Sequence, residues 1–515
     1  MPDKQDSNVA TLRFCEEDSF GVVSGNEIWY ALDPNSYSDF GGQIATVARQ
    51  PISQDRQNRK GLTTDVDASG SFSVDLTSTN LLRLLQGYFA TSLDEKGTTA
   101  PLNGANVPTT SVATSDDSYN AASGYPSLIA RHLLLASGFT NAGNNGLKQV
   151  TSRTATKIVV VQNLTDEGSP PATARLDLVG YKFDAATVDV NATPGDLPTF
   201  VRASGSVDWT TIGIEAGDWI YIGDPAVDAA SDFVTAANNG WARVRSVAAA
   251  LITFDKTQGT MADETGTGLS IRILFGDRIV NDPEGSAGSS YNRRSFQLER
   301  TLGDDGVDTQ AEYLVGAIPS ELTINFPLAD KLTCDMAFVA KDHETVTGTV
   351  GVKGGTRPDL LVEDAFNTTS HIPFMRMGLR SDVDSNPGSL FAYLSELTVT
   401  FNNNVTPNKA VSVMGAFEMS LGNFDVNGTT TAYFNTVTAQ AAVRDNSDVD
   451  ICAAVVRDNV GFMLDIPLLS LGDGRLNVAL NEPITLPLSV TGAKDGTYDY
   501  TASFTHFRYL PDAAE

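Results

Sequence analysis

Between residues 70 and 89, GSFSVDLTSTNLLRLLQGYF, the spacing of the apolar residues changes from two to nearly four. Phe72, Val74 and Leu76 alternate with Ser71, Ser73 and Asp75, which predicts a strand with one buried face. Leu81, Leu82, Leu84, Leu85 and Tyr88 then share one stripe of a short helix. Thr79 or Asn80 is placed to cap its start, and Gly87 to loosen its end. A strand thus feeds directly into a helix that packs back on the same sheet. Residues 415–434, GAFEMSLGNFDVNGTTTAYF, echo this stretch. Without a gap, Gly70, Phe72, Leu76, Tyr88 and Phe89 fall on Gly415, Phe417, Leu421, Tyr433 and Phe434, although the helix stripe is lost. The echo suggests a duplicated unit.

One-faced strands recur further along. Leu322, Ile324 and Phe326 alternate in SELTINF, and Leu397, Val399 and Phe401 in ELTVTF. Such strands suit antiparallel sheets, packed face to face or closed into a barrel. Helical runs are few, while Gly, Ser, Thr, Asn and Asp are frequent, so the fold class is mainly β. At 515 residues the chain exceeds what one core supports, and two to four domains are expected. Residues 91–146 are rich in Thr, Ser, Asn, Gly and Pro and read as loop, interrupted by one helical segment, SLIARHLLLASG. Residues 183–277 read as a separate module of five or six short strands, a small β-barrel or sandwich. It contains GIEAGDWIYIGD and, after an Asn-Asn-Gly turn, WARVRSVAAALITFDK.

The chain has 35 Lys and Arg against 63 Asp and Glu, a net charge of -28, which excludes electrostatic wrapping of nucleic acid. The N-terminal MPDKQDSNVA has no apolar core and is not read as a signal peptide, and no apolar run reaches membrane-spanning length. Cys15, Cys334 and Cys452 are too few and too scattered for a disulfide framework. GVKGGTRP at Gly351 lacks the order of a phosphate-binding loop. His132, His343, His371 and His506 stand in no ligand spacing. Asp382, Asp384 and Asn386 begin like a calcium loop, but Pro387 and Tyr393 replace the turn glycine and the bidentate glutamate. No catalytic, cofactor-binding or metal-ligating residue is predicted, and no enzymatic activity.

Together these segments resemble the major tail tube proteins of long-tailed, non-contractile (siphovirus-type) bacteriophages. The resemblance rests on LRFCEEDSFGVVSG, DVDASGSFSVDLTSTNLLRLLQGYF, FQLERTLGDDG, YLVGAIPSELTINF and LSELTVTFNNNVTP followed by GAFEMSLG. GDWIYI and NNGWARVRSV resemble a β-rich insertion of some members. The length and residues 91–146 depart from a compact member. The resemblance implies a structural virion protein made in the host cytoplasm. Its subunits would form rings that stack into a hollow tube, meet terminator, tape measure and baseplate proteins, and pass DNA through the lumen without specific binding. It implies no cofactor and no membrane. A secreted or surface glycan-binding fibre or adhesin is the alternative from another class.

On this reading residues 1–180 form a tube-type domain with a loop insertion and residues 181–280 an inserted small β-barrel-like module outside the tube, removable without loss of assembly. Residues 281–345 return strands to the first domain, and residues 346–515 form a second tube-type domain. Two such domains per chain predict a trimeric ring with pseudo-sixfold symmetry, with a true hexamer as the alternative. Arg49, Arg56, Arg59 and Lys60 form a basic patch in an acidic chain. They are predicted to be an arm that meets acidic loops of a neighbouring subunit rather than DNA.

Overall fold

The computed structural model describes residues 7–514 apart from 53, 55, 186, 194, 225–228, 283–288, 350–352 and 384–392. Asp384, Asn386 and Pro387 of the calcium-loop candidate and part of the Gly351 loop thus lie outside the described residues. The chain opens with β1 (Thr11–Glu16), β2 (Tyr30–Leu32), β3 (Pro34–Arg49), β4 (Arg59–Asp75) and α1 (Leu82–Tyr88). A middle block holds β5 (Ser111–Ala113), β6 (Ser118–Asn120), β7 (His132–Ser137), β8 (Gly146–Thr154), β9 (Lys157–Val160) and β10 (Arg175–Lys182). It continues with β11 (Val188–Asn191), β12 (Thr199–Arg202), β13 (Trp219–Ile222), β14 (Gly240–Ala248), β15 (Leu251–Thr257) and β16 (Arg272–Phe275). Next come β17 (Asp277–Val280), β18 (Phe296–Asp304), β19 (Thr309–Phe326), β20 (Thr333–Ala340) and β21 (Asp342–Gly348). The last block has β22 (Phe374–Leu379), β23 (Leu394–Asn402), β24 (Thr406–Asn408), β25 (Glu418–Ser420), β26 (Asp425–Tyr433) and α2 (Val437–Arg444). It ends with β27 (Val449–Arg457), β28 (Val460–Asp473), β29 (Thr485–Gly492) and β30 (Ser503–Phe507).

The middle block is one twelve-stranded antiparallel sheet, in the order β11-β12-β15-β14-β13-β16-β10-β7-β8-β9-β6-β5. Its pairing reads the same from either end: two six-stranded units, β5–β10 and β11–β16, join through β10 and β16. Residues from both units share one core, among them Tyr119, Phe139, Ile158, Phe200, Trp209 and Phe254. This differs from the expected loop over residues 91–146 and from a module confined to residues 181–280, because residues 111–182 build half of the sheet. Its pairing order has two ends and does not close into a barrel. SLIARHLLLASG is a strand rather than a helix. Leu134 enters the sheet's own core while Leu133 enters a second one, and burial on both faces removes the alternation that marks a strand.

The remaining sheet has sixteen strands and contains a second internal correspondence. β1 pairs with β18, β18 with β19, β19 with β20 and β21, β20 with β4, and β4 with β3. In the same pattern β22 pairs with β27, β27 with β28, β28 with β29 and β30, β29 with β26, and β26 with β23. α1 follows β4, and α2 follows β26. β19 and β28 each change partners beside an Ile-Pro pair, Ile318-Pro319 and Ile466-Pro467. The repeat is therefore topological, and its register is not that of the sequence echo. Phe72 lies on β4, whose counterpart through the pairings is β26, whereas Phe417 lies outside β25 and is half exposed. The echo joined β4 to the loop before β26.

α1 lies against the apolar face of this sheet, with Leu82, Leu84, Leu85 and Tyr88 buried. Its cap differs from expectation. No side chain of Thr79 or Asn80 caps it; instead the carboxylate of Glu363 accepts the backbone N–H groups of Thr79 (3.0 Å) and Asn80 (3.1 Å). Burial disfavours the Glu363 charge, but the hydrogen bonds from Thr79, Ser78 and Asn80 outweigh it and hold its carboxyl below the usual range. Gly87 does not end the helix. A Cβ there would stand 2.6 Å from the Phe296 ring and 2.9 Å from Pro319, so glycine permits the helix to touch the sheet.

The twelve-stranded sheet is not a separate appendage. Trp219, Tyr221 and Trp241 share a core with Phe374, Met463 and Phe507 of the second repeat. Arg243, fully buried, bonds Asp255 (2.9 Å) on its own sheet and Asp465 (2.9 Å) on β28. Removing this sheet would uncover those aromatics and leave the Asp465 carboxyl without its cation. The three cysteines are free and buried.

Candidate channel-facing sheet and its open edges

Eight strands of the larger sheet run side by side in the order β28-β29-β26-β23-β19-β20-β4-β3. Every strand alternates. Phe72, Val74, Leu322, Ile324, Cys334, Met336, Val399, Phe401, Val426 and Val490 point to the common core beneath the helices. The opposite residues point away from it: Ser71, Ser73, Asp75, Glu321, Thr323, Asn325, Asp335, Glu396, Thr398, Thr400, Asp425, Asn427, Thr429, Ser489 and Thr491. That face carries carboxylates at Asp75, Glu321, Asp335, Glu396 and Asp425, and the Lys and Arg of these eight strands, Arg49, Arg59 and Lys60, lie past the row at the far ends of β3 and β4. The nearest cation, Lys331, stands just before β20 and is tied to Asp75 at 2.7 Å.

The polar face is cross-linked by short side chains. Thr323 and Thr400 hydroxyls meet at 2.9 Å, Asn402 donates to Glu321 at 2.8 Å, Asn325 to Asp335 at 2.8 Å, and Thr431 to Glu396 at 3.0 Å. Such pairs hold short polar side chains close to the sheet. The face therefore presents hydroxyls and carboxylates, a surface that repels a polyanion and offers it no anchoring cation.

The row of eight is two rows of four joined at one seam. β19-β20-β4-β3 and β28-β29-β26-β23 are equivalent, and the seam is β23 against β19, with Phe401 opposite Leu322 and Val399 opposite Ile324. The row ends at two edges with no strand partner among the described residues: the outer edge of β3 and the outer edge of β28 beyond Leu469.

Past the row, β3 and β4 continue as a long exposed hairpin. Arg49 lies at the end of β3 and pairs across the hairpin with Arg59, beside Lys60 at the start of β4, and Arg56 sits in the turn between them. All four predicted site residues are exposed, gathered at one tip, and meet no carboxylate of their own chain among the described residues. Ile44, Val47, Ile52 and Leu62 are exposed on the same arm. The basic run marked the tip, but the apolar residues beside it went unnoticed. The polar face was missed as well, although the serines and threonines opposite each apolar row signal it.

The profile of the phage tail tube protein family matches this chain twice, over residues 7–244 and residues 214–492. The chain belongs to that family. It is a structural virion protein of the phage tail tube, built from β-rich repeated units, that assembles with its own copies into a tube. No curated protein matches it. Among the described residues of this tail tube protein, no helix is long and apolar enough to cross a membrane.

Proposed function

We propose that three chains of this tail tube protein close into a ring of pseudo-sixfold symmetry, that rings stack into the tube of a siphovirus-type tail, and that DNA passes through the lumen without specific binding or catalysis. One observation carries the reading: the eight-strand row has an acidic, hydroxylated face, a covered apolar face and two unpaired edges. Unpaired edges invite pairing with another chain, and closure into a ring removes them. Two equivalent four-strand units per chain need three chains to reach six. We divide the chain into two tube units, β1–β4 with β18–β21 and β22–β30 with β17 on its edge, and an outer double module, β5–β16. Terminator, tape measure and baseplate proteins of the virion are the partners at the ends and in the lumen.

The hairpin tip is read as the stacking arm. Arg49, Arg56, Arg59 and Lys60 supply charge for acidic loops of the next ring, while Ile44, Val47, Ile52 and Leu62 supply apolar area. Each exposed ion pair contributes about 0–1 kcal/mol, so repetition around the ring matters more than any one pair. Electron microscopy and native mass spectrometry of the purified protein test the proposal. Hollow tubes with three chains per ring are expected; six chains per ring or solid fibres refute it. Arg56→Glu with Arg59→Glu is expected to leave the protomer folded and rings formed but to suppress stacking, and tubes of normal length from that variant refute the arm.

A further inference from the structure

We infer that the outer edge of β3 in one chain adds to the outer edge of β28 in a second copy, with Ser38 opposite Gly472 and Tyr37 opposite Asp473. This inference rests on the ring reading above and gives it a seam and a register.

The seam already present inside the chain sets the geometry. There β23 lies on the C-terminal half of β19, Thr400 opposite Thr323 and Val399 opposite Ile324. Taking Leu471 as the equivalent of Leu322, both buried in the common core, carries each of these to an unpaired edge. Thr400 pairs with Asn427 on β26, and Ser38 pairs with Ser71 on β4; Val399 pairs with Gly428, and Tyr37 with Phe72. On the other side Thr323 pairs with Asp335 on β20, and Gly472 with Ser489 on β29; Ile324 pairs with Cys334, and Asp473 with Leu488. β3 is thus to the first unit what β23 is to the second, and the end of β28 is to the second what the end of β19 is to the first.

The chemistry at the two edges fits. Leu471 is buried on the core face, as Leu322 is, and the half-buried Tyr37 and Phe40 pack on that same core. Ser38 and Ser470 lie on the polar face with Thr400 and Glu321, so joining the edges continues the polar face, while on the other face Tyr37 stands opposite Asp473, the exposed end of β28, and diagonal to Leu471. A one-residue slip would set the apolar face of one chain in line with the hydroxylated face of the next, which disfavours it. Three such seams alternating with three internal ones close twenty-four strands.

Hydrogen exchange on the wild-type protein tests the edges without any substitution. Assembly is expected to slow the amides of residues 36–41 and 470–473 more than about tenfold, leaving the internal seam of β19 and β23 unchanged. Ser38→Cys with Ser470→Cys tests the register, because the two stand diagonally across the seam on one face and the three native cysteines are buried. A short bismaleimide is expected to link chains up to a closed trimer, and either single variant to give none. Rings that form while both edges exchange freely and the double variant stays unlinked overturn this seam and leave the ring reading standing. A protein that forms no ring under any assembly condition overturns both.

Discussion

The two halves of the twelve-stranded sheet keep the same side chains at the same tasks, whereas the two halves of the eight-strand row keep the same order of strands with different side chains. In the twelve-stranded sheet Glu167 accepts the N–H groups of Thr140 (3.0 Å) and Asn141 (3.3 Å) and the amide of Asn144 (2.9 Å). Glu264 accepts those of Val234 (2.7 Å), Thr235 (3.0 Å) and the amide of Asn238 (2.9 Å). Asn145 and Asn239 each donate to the carbonyl of Phe139 or Phe233 at 2.8 Å and accept that residue's N–H at 2.9 Å. In the eight-strand row the repeats share little beyond alternation. A loop folded around a carboxylate needs a named donor at each contact, so its sequence is held. A strand within a sheet is paired by its backbone, so its side chains need only be apolar on one side and polar on the other.

The largest effect comes from a position where the two halves of the twelve-stranded sheet differ. Arg243 on β14 corresponds to Gln149 on β8, and of the two Arg243 alone reaches the sixteen-stranded sheet, bonding Asp255 on its own sheet and Asp465 on β28. Tyr498 donates to the same Asp255 at 2.5 Å, and Tyr500 to Asp465 at 3.2 Å. Arg243→Ala is expected to leave buried carboxyls unpaired and to cost about 3–5 kcal/mol, read as a lowered urea midpoint. Gln149→Ala is expected to stay below about 1 kcal/mol. Equal losses would mean that the two halves are anchored alike.

The two carboxylate clasps sharpen the comparison at lower cost. Glu167→Ala and Glu264→Ala each remove one acceptor from three donors, which is expected to destabilise by about 1–3 kcal/mol in each case. The check is the matched pair of urea titrations. If one substitution is silent and the other severe, the halves share a shape without sharing its energetics.

Alternation was readable wherever one face is buried, as in β4, β19 and β23, and the run of leucines before Tyr88 was readable as a helix. The arm residues Arg49, Arg56, Arg59 and Lys60 stood out because their surroundings are acidic. What escaped notice had physical reasons. β7 is buried on both faces and so carries no period of two. Glu363, which caps α1, lies far along the chain, and local sequence cannot name a remote acceptor. The strands of the diverged repeats are offset by bulges and loops of different length, so a gapless overlay aligned Phe72 with Phe417 instead of with a residue of β26. The repeat that was legible went unread: each of Phe139 and Phe233 is followed by Asn-Asn-Gly five residues on, with a glutamate after the next hairpin.

The smallest effect expected is a shared pH dependence of the two clasps. Burial opposes the charge on Glu167 and Glu264, but the hydrogen bonds from Thr140, Asn144 and Asn141, and from Thr235, Val234 and Asn238, outweigh it and hold both carboxyls below their ordinary 4.5. The folded chain therefore binds these protons less readily than the unfolded chain. The stability this contributes is full above the ordinary value and is lost as the pH falls through the lowered folded values. Glu95, in contrast, is pushed up to about 7, by burial first and then by Asp277, so its contribution is lost as the pH rises toward 7. Between pH 7 and pH 5 the clasps are thus expected to be silent while Glu95→Gln flattens a gain in stability. Below about pH 4.5 the wild type is expected to weaken, and Glu167→Gln or Glu264→Gln to weaken less steeply, by the same amount. Urea midpoints at pH 7, 5 and 4 read all three variants. A slope changed by one clasp variant alone would show that only one loop still uses its carboxylate as the charged acceptor.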